Sequence, residues 1–372
     1  MTGRIQATYR VRDEAATIAA RAQGIAVEQS VEMPLGAITD ATVLRHVVGE
    51  VQDIADLGGG VFEVRVGLAV ETVGLDGGQL LNMLFGNTSL HEDVVLHDVE
   101  LPPAMAASFG GPNLGAAGMR ARVGAAGRAL TCSAIKPQGL PVPLLARLAS
   151  RFALGGIDWI KDDHGMADQD YGRFAHRMAA CAAAVRVAVR QTGHPTRYAP
   201  SLSGNLETMR QQIRQVRDAG VDSVVVAPMV AGFSTVQALV RENPDMVFLA
   251  HPSMGGAARI APALLIGRLF RLIGADAVVF PNHGGRFGYT PQACRDLAGR
   301  ALQDWHGLLP AMPVPAGGMT LARTPEVLDF YGTGAMLLIG GSLLEAGERL
   351  AEETAAFVGA VAGHFYPEAS HG

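Results

Sequence analysis

The sequence predicts two folded units. A smaller α+β, ferredoxin-like unit is expected over residues 1–125, and a (β/α)8 barrel over residues 126–372. Three observations carry this. From Leu130 onward, short apolar runs alternate with amphipathic stretches in a strand-then-helix rhythm. Polar or glycine residues follow those runs, as a site at the C-terminal mouth of a barrel requires. The chain has 372 residues, and a barrel takes roughly 250, which leaves room for a second domain of ordinary size.

In the barrel region the expected strands are Leu130–Ile135, Ile157–Lys161, Thr196–Pro200, Ser223–Ala227, Val247–His251, Ala277–Pro281, Met312–Ala316 and Met336–Ile339. Each is short and mostly apolar, as parallel strands covered on both faces are. The clearest helices between them are Leu144–Leu154, Gly172–Gln191, Leu206–Ala219 and Ala261–Ile273. The first unit reads differently. Ile5–Val11, Ala26–Ser30, Val61–Val70 and Val94–Val99 are expected as strands, and Glu14–Ala22 and Gly78–Leu84 as helices. Gly58-Gly59-Gly60 fits a hairpin turn. The glycine- and alanine-rich stretch from Gly110 to Gly127 is expected to link the two units. The methionines and most phenylalanines read as core.

Composition narrows the function classes. The chain is 49% hydrophobic and 17% charged, so much of it must be buried. With a net charge of −5 and no long basic cluster, nucleic acid is not an expected partner. Three cysteines (Cys132, Cys181 and Cys294) form no CxxC pair, so neither a disulfide framework nor a zinc ribbon is indicated. Met1 to Arg12 lacks the apolar core of a signal peptide, and the longest apolar runs are too short to span a bilayer. A cytoplasmic protein without membrane partners is expected.

The residues after the strands carry the chemistry. Lys161-Asp162-Asp163-His164 puts four polar groups behind the apolar Ile157–Ile160. A carboxylate there suits a hard cation, and a lysine there can pair with it, act as a base or become a carbamate ligand. A barrel-mouth salt-bridge cluster would show the same residues. Gly317-Gly318 and Gly340-Gly341 end the seventh and eighth strands, the usual barrel phosphate position, although tight turns also use such pairs. Lys136 ends the first strand, where a dry mouth would let it shuttle protons. His251 fits a base or a substrate contact, or a satisfied polar group. His283-Gly284-Gly285-Arg286 fits a flexible cationic lid or phosphate clamp. Ser201 and Asn282 fall at the same face.

Taken together these motifs resemble the RuBisCO large-subunit superfamily over nearly the whole chain. Ala134–Leu140 is similar to its first-strand lysine motif, Gly155–His164 to its second-strand metal motif, and Ala316–Met319 and Gly340-Gly341 to its phosphate turns. The resemblance implies Mg²⁺ held by a CO2-carbamylated Lys161, by Asp163 and by His164, which stands where the family usually has glutamate. It implies a homodimer, with Glu28 and Asn87 completing the site of a neighbouring subunit.

Departures from the family pattern shape the expected function. Phe280–Tyr289 contains no lysine where the carboxylase has its mobile-loop lysine, and Pro252 follows His251 where the carboxylase has an arginine for a second phosphate. A RuBisCO-like protein that fixes no CO2 is therefore implied. Its ligand would be a sugar monophosphate, held by Gly317, Gly318, Gly340 and Gly341. The expected chemistry is Mg²⁺-assisted proton transfer through an enediolate, of the kind that isomerises 5-methylthioribulose 1-phosphate in methionine salvage. A 3-oxo sugar-acid phosphate decarboxylase or hydrolase, as in apionate-type catabolism, would use the same groups. A non-catalytic regulatory RuBisCO-like protein is the remaining alternative, and retention of Lys136, Lys161 and Asp163 argues against it.

Overall fold

The computed structural model describes residues 3–366, so the extreme ends of both expected units, 1–2 and 367–372, lie outside the described residues. Two sheets organise the chain: a four-stranded antiparallel sheet and an eight-stranded parallel one.

The first sheet contains β1 (Arg4–Arg12), β2 (Glu50–Asp56), β3 (Val61–Ala69) and β4 (Val94–Glu100) in the order β2-β3-β1-β4. Its inner face follows the period-two rule: Ile5, Ala7, Tyr9 and Val11 on β1 and Phe62, Val64, Val66 and Leu68 on β3 are buried. Tyr9 also donates to Leu84 O at 2.6 Å, tying the sheet to the helix Gly77–Phe85. Three sequence expectations are corrected here. Ala26–Ser30 is no strand: Ala26–Glu28 complete the helix Ile18–Glu28, which buries Ile18, Ala22, Ile25 and Ala26. The helix expected at Glu14–Ala22 is therefore displaced toward the C-terminus. β2 was missed because Glu-Val-Gln-Asp-Ile-Ala-Asp is polar on both faces, as an edge strand with little burial can be. The hairpin turn at Gly58–Gly60 joins β2 to β3, and all three glycines have positive φ.

The eight parallel strands are β5 (Leu130–Ile135), β6 (Trp159–Asp162), β7 (Arg197–Ala199), β8 (Ser223–Val226), β9 (Val247–Ala250), β10 (Ala277–Pro281), β11 (Met312–Ala316) and β12 (Met336–Leu338). Their order is β7-β6-β5-β12-β11-β10-β9-β8. A bridge from Ser201 to Val225 closes the ring, with Leu202 N donating to Val225 O and Val225 N to Pro200 O, both at 2.9 Å. The sheet is thus a barrel. Alternate side chains fill its interior: Leu130, Cys132, Trp159, Leu249, Val279, Val314 and Met336 share one cluster. Their neighbours, such as Ile160, Phe248, Val278 and Phe280, face the surrounding helices.

The Gly110–Gly127 stretch is more than a link. It contains the helix Gly115–Arg122, whose Ala116 and Met119, with Val123 just beyond it, join the interior cluster. This helix plugs the bottom of the barrel. It is held by Asp276, which accepts from Leu114 N at 2.7 Å and Gly115 N at 2.8 Å.

The two sheets are docked. Leu96 on β4 bridges to Ile260 in the segment after β9. Buried Arg268 donates to Asp98 at 3.0 Å and to Val99 O at 2.7 Å. Among the described residues, no helix is long and apolar enough to cross a membrane.

Candidate functional site

The run Lys161-Asp162-Asp163-His164 does not act as one cluster, because successive strand residues point to opposite faces. Trp159 lies in the barrel interior and Ile160 in the outer core. Lys161 therefore points inward. It is 3% exposed, and its Nζ donates to Asp162 O at 2.9 Å. Burial pulls its pKa below the usual lysine range, although the nearby Asp163 charge works the other way.

Asp162 points outward and is fully buried. It accepts from Arg177 Nε at 3.0 Å, Tyr198 Oη at 2.7 Å and Ser201 N at 3.2 Å. Its lone pairs are occupied between β6, β7 and the helix Phe174–Thr192. The reading of four polar groups at the mouth is thus corrected to three.

Asp163 is the acid of the mouth. Its Oδ1 lies 3.2 Å from Lys136 Nζ and 3.3 Å from His164 Nδ1. Burial would raise its carboxyl. The hydrogen bond from His164 and the charges of Lys161 and Lys136 outweigh that and hold it well below the ordinary carboxylate range.

The His164 ring stacks on that of His251, with centroids 4.2 Å apart and planes within 7°. His251 Nδ1 accepts from Ser253 N at 3.2 Å and lies 2.8 Å from Ser253 Oγ. That acceptance sets the neutral tautomer: the ring proton sits on Nε2. Burial, then the charge of Lys161, pushes the His251 pKa down to about 2, so the ring stays neutral. Ser253 carried no signal in the sequence, since a serine two residues past a strand resembles any loop residue.

The turns after β11 and β12 are built from glycines. Gly317 and Gly318 both have positive φ, +81° and +70°, which a side-chain-bearing residue would adopt only with strain. A Cβ on Gly318 would come within 2.9 Å of Gly285 Cα, and one on Gly285 within 2.5 Å of Gly317 O. The loop after β10 therefore lies directly on the β11 turn. Gly340 and Gly341 have no atom within 4 Å of an added Cβ, and Gly341 starts the short helix Gly341–Leu344.

The other candidates are arranged differently from expectation. The His283 ring packs 4.4 Å from Phe330, and exposed Arg286 stacks over Phe287 at 4.9 Å. Beside Gly284 the nearest cation is Arg323, which donates to His283 O at 3.3 Å and is paired with Glu326. Sequence reading passed over Arg323. Asn282 is fully buried rather than free at the mouth: Tyr331 Oη donates to its Oδ1 at 2.8 Å.

Glu28 and Asn87 meet each other in the first unit. Asn87 Nδ2 donates to Glu28 Oε1 at 2.8 Å and to Glu32 Oε1 at 2.9 Å. Gln29 secures this turn, donating to Met83 O at 2.7 Å and accepting from Thr88 N at 3.0 Å. None of these bonds reaches the barrel.

A cavity of about 180 Å³ opens beside the stacked imidazoles, between the ends of β7, β8 and β9. Leu202, Met209, Val225, Ala227, Val230 and Ala231 supply its apolar wall. Met209 had read as core; it is buried, yet it lines this space.

Mg²⁺ takes oxygen ligands in octahedral geometry. Among the described residues no group of three His, Cys, Asp or Glu side chains is placed to hold a metal. Asp163 offers carboxylate oxygens of the kind such an ion takes, and Lys161 would add more only as a carbamate; His164 offers a nitrogen instead.

Comparison with known proteins identifies the family. The description of the ribulose bisphosphate carboxylase large chain, catalytic domain, matches residues 115–293. A 5-methylthioribulose-1-phosphate isomerase of Rhodospirillum rubrum is 61% identical over 98% of this chain and 97% of its own length. Ribulose bisphosphate carboxylase-like protein 1 of Rhodopseudomonas palustris is 54% identical over 98% and 99% respectively. A solved Rubisco-like protein from Rhodopseudomonas palustris superposes with a TM-score of 0.92 at 49% identity, covering 98% of this chain and 99% of that one.

Proposed function

Because the chain belongs to the RuBisCO large-chain family, among its RuBisCO-like members, we propose that it is an enzyme that moves a proton beside the carbonyl of a ketose monophosphate. The substrate of this reading is 5-methylthioribulose 1-phosphate, the reaction is its isomerisation in methionine salvage, and no CO2 is fixed. One observation carries it. Lys136, Asp163, His164 and His251 converge at one mouth with buried Lys161 beneath them, while the loop after β10 offers no lysine and Pro252 follows His251. The name of the Rhodospirillum rubrum relative supports the same substrate.

In this reading the glycine turns at Gly317, Gly318, Gly340 and Gly341 hold the phosphate through their backbone N–H groups. Lys161, as a carbamate formed by adding CO2 and releasing a proton, would hold Mg²⁺ together with Asp163 and His164. When bound, that ion supplies a Lewis acid which polarises the substrate carbonyl. Lys136, tethered to Asp163, moves the proton between neighbouring carbons. His251 presents its Nε2–H to a substrate oxygen; its tautomer makes it a donor and not a base. Glu28 and Asn87 act across a homodimer, on the partner's mouth.

Lys136→Met tests the assignment. Proton transfer to 5-methylthioribulose 1-phosphate, followed by NMR, should slow by about 10²-fold or more, the usual worth of a positioned acid–base group, with little change in substrate binding. Unchanged turnover in this variant would remove Lys136 from the mechanism.

A further inference from the structure

The ring order of the strands gives the mouth a geometry that single motifs do not reveal. In an eight-stranded barrel, strands four places apart face each other. β7 and β8 are four places from β11 and β12. The cavity walled by Leu202, Met209, Val225 and Ala227 rises from the ends of β7 and β8, and the glycine turns cap β11 and β12. The cavity therefore faces the glycine turns across the mouth, and the His164–His251 stack forms its inner wall.

Its chemistry is that of an uncharged ligand. No lysine or arginine lines it, and its polar groups are serines and the two imidazoles. A second phosphate would find no cationic partner there. Val230 lines the cavity and is 65% exposed, which places it at the rim.

We propose that this cavity seats the end of the substrate opposite its phosphate, and that Met209, Ala227 and Val230 select a small, uncharged, apolar substituent there. The proposal rests on the phosphate reading of the glycine turns. A thioether is the fitting chemistry, because a polarisable sulfur packs well against ring faces and an apolar wall. Ala227 sets the depth of the cavity, Met209 closes one side of it, and Val230 guards its entrance.

The test uses ligands that cannot react, so that it does not depend on the proposed reaction. Ribitol 1-phosphate and 5-methylthio-5-deoxyribitol 1-phosphate share the phosphate, lack a carbonyl and differ only at the far end. Calorimetric titration of the full-length protein should show the methylthio compound binding about 10-fold more tightly or better, the low end of what an apolar pocket gains from one or two added groups. Ala227→Leu, which fills the cavity, and Val230→Lys, which charges its entrance, should each bring that preference close to one. Affinity for inorganic phosphate, which reaches only the glycine turns, should stay within about 3-fold in both variants. Val230→Lys changes an exposed side chain and keeps the fold; thermal unfolding verifies this for both variants. A preference near one in the wild-type protein, or a preference unchanged in both variants, would overturn the proposal. If the preference behaves as expected while 5-methylthioribulose 1-phosphate is not isomerised, the subsite stands and the reaction reading falls. If isomerisation proceeds while the variants keep the preference, the reverse holds.

Discussion

β6 crosses the barrel from bottom to top, and its two ends are built on opposite principles. At the bottom, Asp158 is fully buried and fully engaged. Arg128 donates to it twice, at 2.7 and 2.8 Å, Thr131 N and Oγ1 donate at 2.8 and 3.0 Å, and His194 Nε2 lies 3.2 Å away. At the mouth, five residues on, Asp163 shares one oxygen between a lysine and a histidine and stays partly open. The apolar side chains of Val230, Met254 and Phe287 stand exposed on mouth loops, 57–65% accessible. The bottom is closed by a plug helix, whereas a cavity lies at the mouth. A carboxylate with every lone pair occupied stabilises a fold, whereas one with acceptor capacity left over can act on a ligand.

The most severe way to break this comparison is to exchange the effects of its two ends. Lys161→Ala should cut proton transfer by about 10³-fold or more, as removal of an essential electrostatic element does, and leave the unfolding free energy nearly unchanged. Asp158→Ala should do the reverse. It strands Arg128 at the bottom and should cost about 3–5 kcal/mol of stability, the range for breaking a buried pair. Activity in whatever remains folded should be near normal. Urea unfolding and NMR turnover on the same two variants check both halves.

A second test bears on whether one chain completes its mouth alone. Glu28→Gln and Lys161→Ala should each be nearly inactive, and mixing them should restore part of the activity through hybrid sites. Light scattering should find a dimer; a fully active monomer would contradict this.

A smaller effect sharpens the bottom. Burial opposes the Asp158 charge, but Arg128 and His194 prevail and carry its carboxyl down to about 2, from an ordinary 3.8. Because the folded value is depressed, its stabilisation is present above pH 3.8 and is lost as pH falls toward 2. The shift corresponds to about 2 kcal/mol. The stability gap between the wild type and Asp158→Asn should be constant from pH 7 to about 5 and shrink below pH 4. A gap that persisted at pH 2 would assign Asp158 a packing role instead.

The smallest effect is expected at Arg286. It stacks on Phe287 at the surface and donates no hydrogen bond to the described glycine turns. Arg286→Ala should change stability by less than about 0.5 kcal/mol, as surface substitutions usually do. A large loss of phosphate affinity in that variant would restore Arg286 to the phosphate clamp.

The barrel was legible because buried parallel strands are short, apolar and punctuated. All eight appear where the apolar runs fall, with ends shifted by a residue or two. The first unit was less legible. β2 carries Glu50, Gln52, Asp53 and Asp56, so its pairing rests on backbone bonds to β3 that leave no hydrophobic pattern. Ala26–Glu28 look strand-like alone and are helical because Ile18, Ala22 and Ile25 precede them at helical spacing.

Within the candidate site, the charged groups were visible and their division of labour was not. Asp162 and Asp163 are adjacent and identical, and only the strand's alternation separates a buried structural acid from a mouth acid. The apolar cavity was invisible, because Leu202, Met209 and Val225 are indistinguishable from core until three strand ends are brought together.

Under the proposed function this mouth moves protons on a monophosphate ketose and fixes no CO2. One measurement addresses both halves: NMR of 5-methylthioribulose 1-phosphate with the protein in D2O containing Mg²⁺ and ¹³C-bicarbonate. An isomeric product should form, with deuterium entering a carbon next to the carbonyl and no ¹³C in any sugar phosphate. A ¹³C-labelled carboxylate product, or a substrate recovered with neither exchanged carbon-bound protons nor an isomeric product, would overturn this reading.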